Sequence, residues 1–329
     1  MMNQASRAVP CSICPRFCQI APGERGECRI RVNVAGKLQA VTYGRPCSVQ
    51  VDPIEKKPFF HFLPGTPVFS LATAGCNLHC LNCQNWEISQ GNPEELPAYQ
   101  LLPEQVPVEA RKHNCPSVAY TYTEPLVYYE YTRDSSQACR QAGIRNAIVT
   151  AGYINPDPLR QLCRVLDAAT LDIKAMSDVF YREVCGATLA PVLRTIEILK
   201  EEGVYVELSN LVVPTLNDTD ALFRDLCRWV VAHAGAETPF HFLRFFPLYR
   251  MTHLPPTPVE TLLRAREIAR AEGLKHVYVG NLDVPDGENT FCAGCHCLLI
   301  ERARHTVVKN RVKDGHCPAC GRIVQGVWK

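Results

Sequence analysis

The chain has 329 residues, of which 47% are apolar and 21% charged, and its formal net charge is +2. This composition is ordinary for a globular protein, and the near-neutral charge gives no global electrostatic reason to expect nucleic-acid or membrane binding. No apolar stretch approaches the roughly 20 residues that a membrane span needs, and the N-terminal sequence resembles no signal peptide. The unusual count is 18 cysteines. In a cytoplasmic protein, which we expect this to be, cysteines hold metals more often than they form disulfides.

Residues 1–65 form a first zone, rich in cysteine, glycine and proline, that we predict to be a metal-binding module. Its candidate ligands follow the pattern C-x2-C-x3-C-x9-C and are Cys11, Cys14, Cys18 and Cys28. Zinc and an iron–sulfur cluster are both acceptable here, because soft thiolate ligands suit either. The irregular spacing does not decide between them, and zinc is the preferred interpretation.

Residues 66–286 alternate between apolar β-like segments and amphipathic helical segments. The predicted helices include "LVYYEYTRDSSQACRQAG", which ends at Gly143, and "LAPVLRTIEILKEEG". The strand-like segments are "PVFSLAT", "SVAYTYT", "NAIVTAG", "ATLDIKA", "VYVELSNLVVP", "FHFLRFF" and "HVYVGN". Repeated β-then-α units with short connections predict an α/β fold with a parallel sheet. The sheet can be doubly wound or can curve into a full or partial barrel. No Walker A motif is present and no G-x-G-x-x-G follows a strand, so nothing supports a nucleotide-binding fold of those kinds.

A cluster of three cysteines, Cys76, Cys80 and Cys83, directly follows the first of these strands. Structural zinc takes four protein ligands, and no fourth local ligand completes this set. A cubane iron–sulfur cluster accounts for it better, because three thiolates hold three irons and leave the fourth iron open. An open coordination position is what a catalytic metal requires. The sequence therefore predicts a reactive [4Fe-4S] cluster at this loop.

Polar residues follow several later strands, where a barrel carries its active site. Glu124 follows the second strand, and its carboxylate can accept hydrogen bonds from an ammonium group. Asp172 and Lys174 share one side of a strand, because side chains alternate with period two. They suit a zwitterionic amino acid, and the plain alternative is an ion pair with each other. Asn210, near the fifth strand, is a weaker candidate.

Residues 287–329 return to paired cysteines, Cys292-x2-Cys295 and Cys317-x2-Cys320. Two such pairs predict a zinc ribbon with four thiolate ligands, and Cys297 is a spare thiol or an alternative ligand. The segment "CAGCH" also matches a c-type haem attachment motif, but that interpretation requires export and leaves the second pair unexplained. The basic segment 301–313 is interpreted as a solvated hairpin face, with docking of RNA or an acidic partner as the alternative.

Several segments together resemble the radical S-adenosylmethionine (SAM) enzymes of the AmmeMemoRadiSam system, which are related to pyruvate formate-lyase-activating enzymes. The segments are "CSICPRFCQIAPGERGECRIRVNVAGKL", "DPIEKKPFFHFLPGTPVFS", "GCNLHCLNCQNWEIS", "YTYTEP", "LDIKAM" and "NLVVPTLND". The similarity spans nearly the whole chain. It implies an α/β fold with a partial (β/α)6 TIM-like radical SAM barrel over residues 66–286. The N-terminal Cys-rich module (1–65) and the C-terminal zinc-ribbon-like module (287–329) flank this barrel.

The resemblance also implies a mechanism and a set of cofactor contacts. In that superfamily the amino and carboxylate groups of SAM bind the fourth iron of a [4Fe-4S] cluster. One electron then cleaves SAM to a 5′-deoxyadenosyl radical, which abstracts hydrogen from a substrate. By correspondence with the family's motifs, the cluster ligands are Cys76, Cys80 and Cys83, and the expected SAM contacts are Thr123, Glu124, Asp172, Lys174 and Asn210.

The acceptor of the radical is not specified by these motifs. Modification of another protein or of a small molecule is preferred, because a metal module at each end is more than glycyl-radical activation needs. Activation of a glycyl-radical enzyme ranks second, and a non-catalytic zinc- and RNA-binding protein is the alternative from another class. Expected partners are a low-potential flavodoxin or ferredoxin and Memo-like and AMMECR-like companion proteins. Binding to nucleic acid is not expected.

Overall fold

The computed structural model describes residues 7–329, which form fifteen strands and eight helices. The strands are β1 (Val9–Pro10), β2 (Gln19–Ile20), β3 (Arg31–Val34), β4 (Lys37–Ala40), β5 (Ser48–Pro53), β6 (Pro67–Ala72), β7 (Ser117–Tyr120), β8 (Arg145–Thr150), β9 (Ala168–Asp172), β10 (Tyr205–Val212), β11 (Phe240–Arg244), β12 (Val277–Gly280), β13 (Thr290–Phe291), β14 (Leu298–Ala303) and β15 (Thr306–Asn310). The helices are α1 (Trp86–Ser89), α2 (Val106–Lys112), α3 (Tyr129–Gln141), α4 (Pro156–Cys163), α5 (Asp178–Phe180), α6 (Leu189–Glu201), α7 (Asp220–His233) and α8 (Val259–Ala271). A π-helical turn, Tyr181–Cys185, continues α5.

The central sheet has eight strands in the spatial order β12-β11-β10-β9-β8-β7-β6-β5. Strands β6 to β12 run parallel to one another, and β5 pairs antiparallel with β6. The predicted parallel α/β sheet is confirmed. The described residues include seven parallel strands, which match the seven strand-like segments of the sequence, whereas the resemblance implied six β/α units. The strands follow chain order across the sheet, and this excludes a doubly wound sheet, in which the order reverses.

Apolar residues explain why these segments form the centre of the molecule. Strands β6 to β9 are buried over almost their whole length, as expected for a parallel sheet covered by helices. The surrounding helices are amphipathic, and each buries one apolar face; α6, for example, buries Val192, Ile196 and Leu199. The curved sheet therefore encloses an interior that can hold polar groups only where they are paired.

The segment that follows β5 crosses this interior to the strands at the far side of the sheet. The backbone N–H groups of Phe60 and His61 donate hydrogen bonds of 2.7–2.9 Å to the buried carboxylate of Glu207 in β10. His241 in β11 contacts the same carboxylate at 2.9 Å. The ring of Phe60 packs edge-on against His241 and Tyr278. The segment thus links the two edges of the sheet.

Two small modules flank the sheet. The N-terminal one contains the hairpins β1–β2 and β3–β4, and the C-terminal one is the three-stranded sheet β13–β15. The main sheet begins at Ser48, inside the segment 1–65 that was predicted to be the N-terminal module. Backbone hydrogen bonds of 2.7 Å between Val327 and the His61–Leu63 segment join the C-terminal module to the segment that follows β5. Within the described chain, no helix combines the length and apolar character needed to cross a membrane.

Candidate functional site

A cavity of about 450 Å³ lies at the carboxyl ends of the parallel strands. Its wall brings together predicted residues that are far apart in the sequence, namely Cys76, Cys80, Cys83, Glu124, Asp172 and Lys174. This is the edge of a curved parallel sheet where active sites form, because the loops after successive strands converge there. The cavity is therefore the candidate active site.

Backbone hydrogen bonds position the three-cysteine loop that follows β6. Gly75 N–H donates to the carbonyl of Ile88 at 3.0 Å, which fixes the start of the loop against the helix α1. His79 and Leu81 donate to the carbonyls of Cys185 and Val184, both at 2.9 Å. The π-helical turn Tyr181–Cys185 therefore holds the backbone of the loop through these two hydrogen bonds. This support joins residues about a hundred positions apart, and the sequence pattern of the loop did not indicate it.

The spacing of the three thiols fits a multi-iron cluster. One zinc ion holds its sulfur ligands about 3.8 Å from one another, since a Zn–S bond is about 2.3 Å. In a cubane each thiolate binds a different iron, so the sulfurs lie farther apart. Among residues 7–329, a group of three or more possible ligand atoms within 4.8 Å of one another occurs at the C-terminal cysteines alone, and Cys76, Cys80 and Cys83 do not form one. They therefore fit the predicted [4Fe-4S] cluster better than a single ion.

Glu124 is a buried carboxylate on the cavity wall, only 2% exposed. Thr150 Oγ1 and the backbone N–H of Leu126 donate to its Oε1 at 2.6 and 3.2 Å, and Ala151 N–H donates to its Oε2 at 2.8 Å. Burial raises the pKa of Glu124 to about 7, although these hydrogen bonds oppose the shift. An ionised carboxylate has about four acceptor positions, so it can accept one further donor from the cavity.

Asp172 and Lys174 both line the cavity and contact each other. Lys174 Nζ lies 2.7 Å from Asp172 Oδ2, so in this structure they form the ion pair that was the alternative to a contact with an amino acid. The hydroxyl of Ser209 donates to the other carboxylate oxygen of Asp172. Tyr181 Oη accepts the backbone N–H of Lys174 at 3.0 Å, which fixes the end of the strand.

Of the other two expected SAM contacts, Thr123 lies on the cavity wall and Asn210 holds the backbone of a residue on that wall. Thr123 lines the cavity, and its hydroxyl donates to the carbonyl of Thr73 at 2.7 Å. Asn210 is not among the described residues that line the cavity. Its amide group donates to the carbonyls of Ile173 and Lys174 at 2.7 and 3.1 Å. Asn210 thus holds the backbone that carries Lys174.

A second polar group, of which Lys56, Lys57 and Tyr122 line the cavity, was missed by the sequence interpretation. Asp52 accepts hydrogen bonds of 2.8 Å from both Lys56 and Lys57, and the hydroxyl of Tyr122 also donates to it. Lys57 Nζ lies 4.0 Å from the centre of the Tyr122 ring. The neighbouring opposite charges of "DPIEKKP" could have indicated a local ion pair. Their contact with Tyr122, however, depends on the pairing of β5 with β6, which the sequence does not show.

The C-terminal module also contributes to the cavity wall, through Glu288 and His305. Glu288 precedes β13, and His305 lies in the turn between β14 and β15. Burial raises the pKa of Glu288 to about 7. The cavity therefore extends from the three-cysteine loop to the C-terminal module.

The C-terminal cysteines meet at the spacing of a single metal ion. The thiols of Cys292, Cys295, Cys317 and Cys320 all lie within 4.8 Å of one another, with Cys292–Cys320 at 3.6 Å and Cys295–Cys317 at 3.7 Å. These distances match tetrahedral zinc. Cys297 Sγ lies 3.4 Å from Cys317 Sγ but outside this group of four. The group is compatible with the predicted zinc site.

Comparisons with known proteins agree with this geometry. The model of the Radical SAM superfamily matches residues 70–230. Uncharacterized protein MJ0808 of Methanocaldococcus jannaschii is 50% identical over 320 residues, which cover 96% of this chain and 95% of that protein. Pyruvate formate-lyase 1-activating enzyme of Escherichia coli strain K12 is 25% identical over 220 residues, which cover 62% of this chain and 89% of the enzyme.

A solved structure agrees at the level of the fold. Streptococcus suis SuiB bound to S-adenosylmethionine superimposes with a TM-score of 0.51 at 14% identity, over 69% of this chain and 53% of that one. At this identity the likeness concerns the fold alone.

The cofactors follow from the family and from the donor set on the cavity wall. They are a [4Fe-4S] cluster and SAM, and the bound cluster supplies the electron that cleaves SAM to a 5′-deoxyadenosyl radical. This excludes the alternative of a non-catalytic zinc- and RNA-binding protein. Residues 70–230 form a radical SAM domain, and the chain is a radical SAM oxidoreductase with homology to pyruvate formate-lyase-activating enzymes.

Proposed function

We propose that SAM occupies the end of the cavity next to the three-cysteine loop and that the substrate occupies the end next to the C-terminal module. The observation that carries this proposal is the continuity of one cavity from Cys76 to Glu288 and His305. Radical chemistry requires the substrate to lie within reach of the SAM-derived radical and away from water. A single cavity with two chemically different ends meets both requirements.

In this proposal each polar group near the loop has a defined task. Cys76, Cys80 and Cys83 hold the cluster. Glu124 accepts a hydrogen bond from the amino group of SAM, and Thr123 fixes the neighbouring backbone. Lys174 exchanges its partner Asp172 for the carboxylate of SAM, because both anions lie at the same wall and a charge-assisted bond to either is strong. Asn210 holds the Lys174 backbone in place.

The residues at the other end favour a polar substrate group. Lys56 and Lys57 line the cavity and share the single carboxylate of Asp52, so two ammonium groups are available for one anionic partner. An anionic group on a small molecule or on a protein side chain can pair with one of these ammonium groups. The preferred substrate class is therefore a small molecule, or a protein segment that inserts an anionic group.

Activation of a glycyl-radical enzyme is the second candidate. The relatives of this chain include activating enzymes for pyruvate formate-lyase in Clostridium pasteurianum and for benzylsuccinate synthase in Thauera aromatica. Incubation with such an enzyme and SAM, followed by electron paramagnetic resonance, tests this candidate. A stoichiometric glycyl radical would place activation first.

Partners and location complete the proposal. We infer membership of the AmmeMemoRadiSam system, with Memo-like and AMMECR-like proteins as companions, on the resemblance of the sequence motifs. Reductive SAM cleavage needs a low-potential donor, for which a flavodoxin or ferredoxin is suitable. All eighteen cysteines are free thiols, and this supports a reducing cytoplasmic location.

Anaerobic reconstitution with iron and sulfide tests the central proposal. Reduced protein should convert SAM to 5′-deoxyadenosine, and Cys76→Ala, Cys80→Ala and Cys83→Ala should each abolish that product. Cys163→Ala, at a buried cysteine in α4 away from the cavity, is the matched control and should keep the activity. Product formation by any of the three loop variants would refute the proposal.

A further inference from the structure

The four cysteines of the N-terminal module lie together around one short turn. Cys11 N–H donates to the carbonyl of Cys18 at 2.9 Å, which closes the loop that contains Cys14. Glu27 N–H lies 3.5 Å from Cys18 Sγ, so the residue that precedes Cys28 contacts the same thiol. Cys11 and Cys14 are each only 8% exposed. Four free thiols in one buried corner are the composition of a metal site.

The spacing of these thiols separates the two candidate metals. The C-terminal cysteines lie within 4.8 Å of one another, as one zinc ion requires. In the part of the chain that the structure describes, no three of Cys11, Cys14, Cys18 and Cys28 meet that limit. The three-cysteine loop of the cavity shares this wider spacing. The N-terminal thiols therefore resemble cluster ligands, although the sequence pattern favoured zinc.

A buried arginine in an ion pair neighbours the thiols of the N-terminal module. Arg31, in β3 and only 4% exposed, is held by Glu130 through hydrogen bonds of 3.0 and 2.7 Å. Burial by itself lowers the pKa of Arg31, but Glu130 and, more weakly, the thiols of Cys11 and Cys28 raise it. Because Glu130 already neutralises Arg31, this pair adds no net charge beside the thiols, and the assignment of a cluster rests on the thiols themselves.

The N-terminal module also packs directly on the three-cysteine loop. A Cβ atom built on Gly75 would lie 2.5 Å from the carbonyl oxygen of Cys28, so the two backbones touch one residue before Cys76. Arg16 Nε donates to the carbonyl of Asn77 at 2.8 Å. Electron transfer between two clusters requires a short separation, and these contacts hold the two sets of thiols next to each other.

We propose that Cys11, Cys14, Cys18 and Cys28 bind a second [4Fe-4S] cluster, which serves as the electron entry site for the cluster of the cavity. This inference rests on the proposed function. A low-potential one-electron donor of the flavodoxin or ferredoxin class reduces the N-terminal cluster by one electron. That electron passes to the cavity cluster, and the N-terminal cluster returns to its oxidised state. No bond or proton changes in the N-terminal module.

Metal content tests the site independently of SAM chemistry. The unaltered chain, purified and reconstituted without oxygen, should contain about eight iron atoms and about one zinc. The triple variant Cys76→Ala/Cys80→Ala/Cys83→Ala should retain about four iron atoms, visible as a reducible cluster by electron paramagnetic resonance. Adding Cys14→Ala and Cys28→Ala should remove that iron and leave the zinc. About two zinc and no iron in the triple variant would overturn the proposal.

The electron-entry role has its own readout, the ratio of flavodoxin-driven to dithionite-driven SAM cleavage. In Cys14→Ala/Cys28→Ala this ratio should fall at least about tenfold, because dithionite is small enough to reduce the cavity cluster directly. Cys163→Ala should keep the ratio of the unaltered chain. An unchanged ratio in the double variant would overturn the role. If the chain holds two clusters but does not cleave SAM, the proposed function fails while the second site stands.

Discussion

At Glu124 the chain buries a carboxylate and satisfies most, but not all, of its hydrogen-bonding capacity. Thr150 at the end of β8, Ala151 after it and the backbone N–H of Leu126 donate to the carboxylate, which lines the cavity. Such a group is costly to keep ionised without a cation, because burial disfavours the charged form. A ligand that brings an ammonium group recovers that cost on binding.

The affinity for SAM should therefore depend on pH through Glu124. Burial raises the pKa of Glu124 to about 7, so the carboxyl is mostly protonated at pH 6 and mostly ionised at pH 8. Since only the ionised form pairs with an ammonium group, the affinity of the unaltered chain relative to Glu124→Gln should rise roughly tenfold between pH 6 and 8. Calorimetric titration of the reconstituted proteins measures this ratio.

SAM itself also titrates, but it does so equally in both experiments. The ratio of the affinities of the unaltered chain and Glu124→Gln therefore reports Glu124 alone. Glu260→Gln, at an exposed position in α8, is the matched control and should follow the unaltered chain. Parallel pH profiles for the unaltered chain and Glu124→Gln would contradict the assignment of Glu124.

Among elements, two helices show how local signals in the sequence predict secondary structure. The segment predicted to be helical up to Gly143 forms α3 (Tyr129–Gln141), and Gly143 follows it with a φ of +73°. The segment "LAPVLRTIEILKEEG" forms α6 (Leu189–Glu201). Both predictions are confirmed. The sequence could make them because helical periodicity and a C-terminal glycine depend only on residues close together in the chain.

The contact between the N-terminal module and the three-cysteine loop can be tested at Gly75. Gly75 and Gly143 both have positive φ, at +94° and +73°, so alanine at either is expected to cost roughly 1–2 kcal/mol of backbone strain. A Cβ at Gly75 would also meet the backbone of Cys28 and the side chain of Ile30, whereas one at Gly143 would meet nothing within 4 Å. Gly75→Ala should therefore lower the free energy of unfolding by roughly 1–3 kcal/mol more than Gly143→Ala.

Anaerobic denaturant titration measures both values, with Gly143→Ala as the control for backbone strain alone. If both variants lose the same free energy of unfolding, the close contact between the N-terminal module and the three-cysteine loop does not contribute to stability.

On the scale of the whole molecule, the C-terminal module is attached through a buried arginine. Arg302 Nη2 donates to the carbonyl of Phe60 at 2.6 Å, and Nη1 donates to Thr290 Oγ1 at 2.8 Å. Its Nε lies 3.8 Å from the buried carboxylate of Glu55. The Arg302 side chain thus joins the C-terminal module to the segment that follows β5. The C-terminal module in turn forms one end of the cavity wall.

Replacing this arginine should loosen that attachment. Arg302→Met keeps the aliphatic length but leaves Glu55 without its nearby cation and the Phe60 carbonyl without its donor. We expect the free energy of unfolding to fall by roughly 3–5 kcal/mol, as for other broken buried ion pairs. Arg304→Met, at an exposed position in the same hairpin, should change it by less than about 0.5 kcal/mol. Urea titration under anaerobic conditions measures the free energy of unfolding of both variants. A similar decrease in both would contradict the role of buried Arg302 in attaching the C-terminal module.

The sequence by itself determined the chemistry of the three-cysteine loop, the parallel α/β class, and the pairing of the C-terminal cysteines. Each of these depends on residues that are near neighbours in the chain, where ligand spacing and periodicity are visible. It also predicted that Glu124, Asp172 and Lys174 would lie together, because the residues that follow parallel strands meet at one edge of the sheet, and all three line the cavity.

The tertiary structure alone decided which distant segments meet. It placed Lys57 and Tyr122 on the cavity wall and moved the start of the main sheet to Ser48. It also packed the N-terminal thiols on the three-cysteine loop at a spacing wider than zinc requires. These features depend on the curvature of the sheet and on contacts between residues tens to hundreds of positions apart. No local pattern records them, because packing fixes them only when the whole sheet has formed.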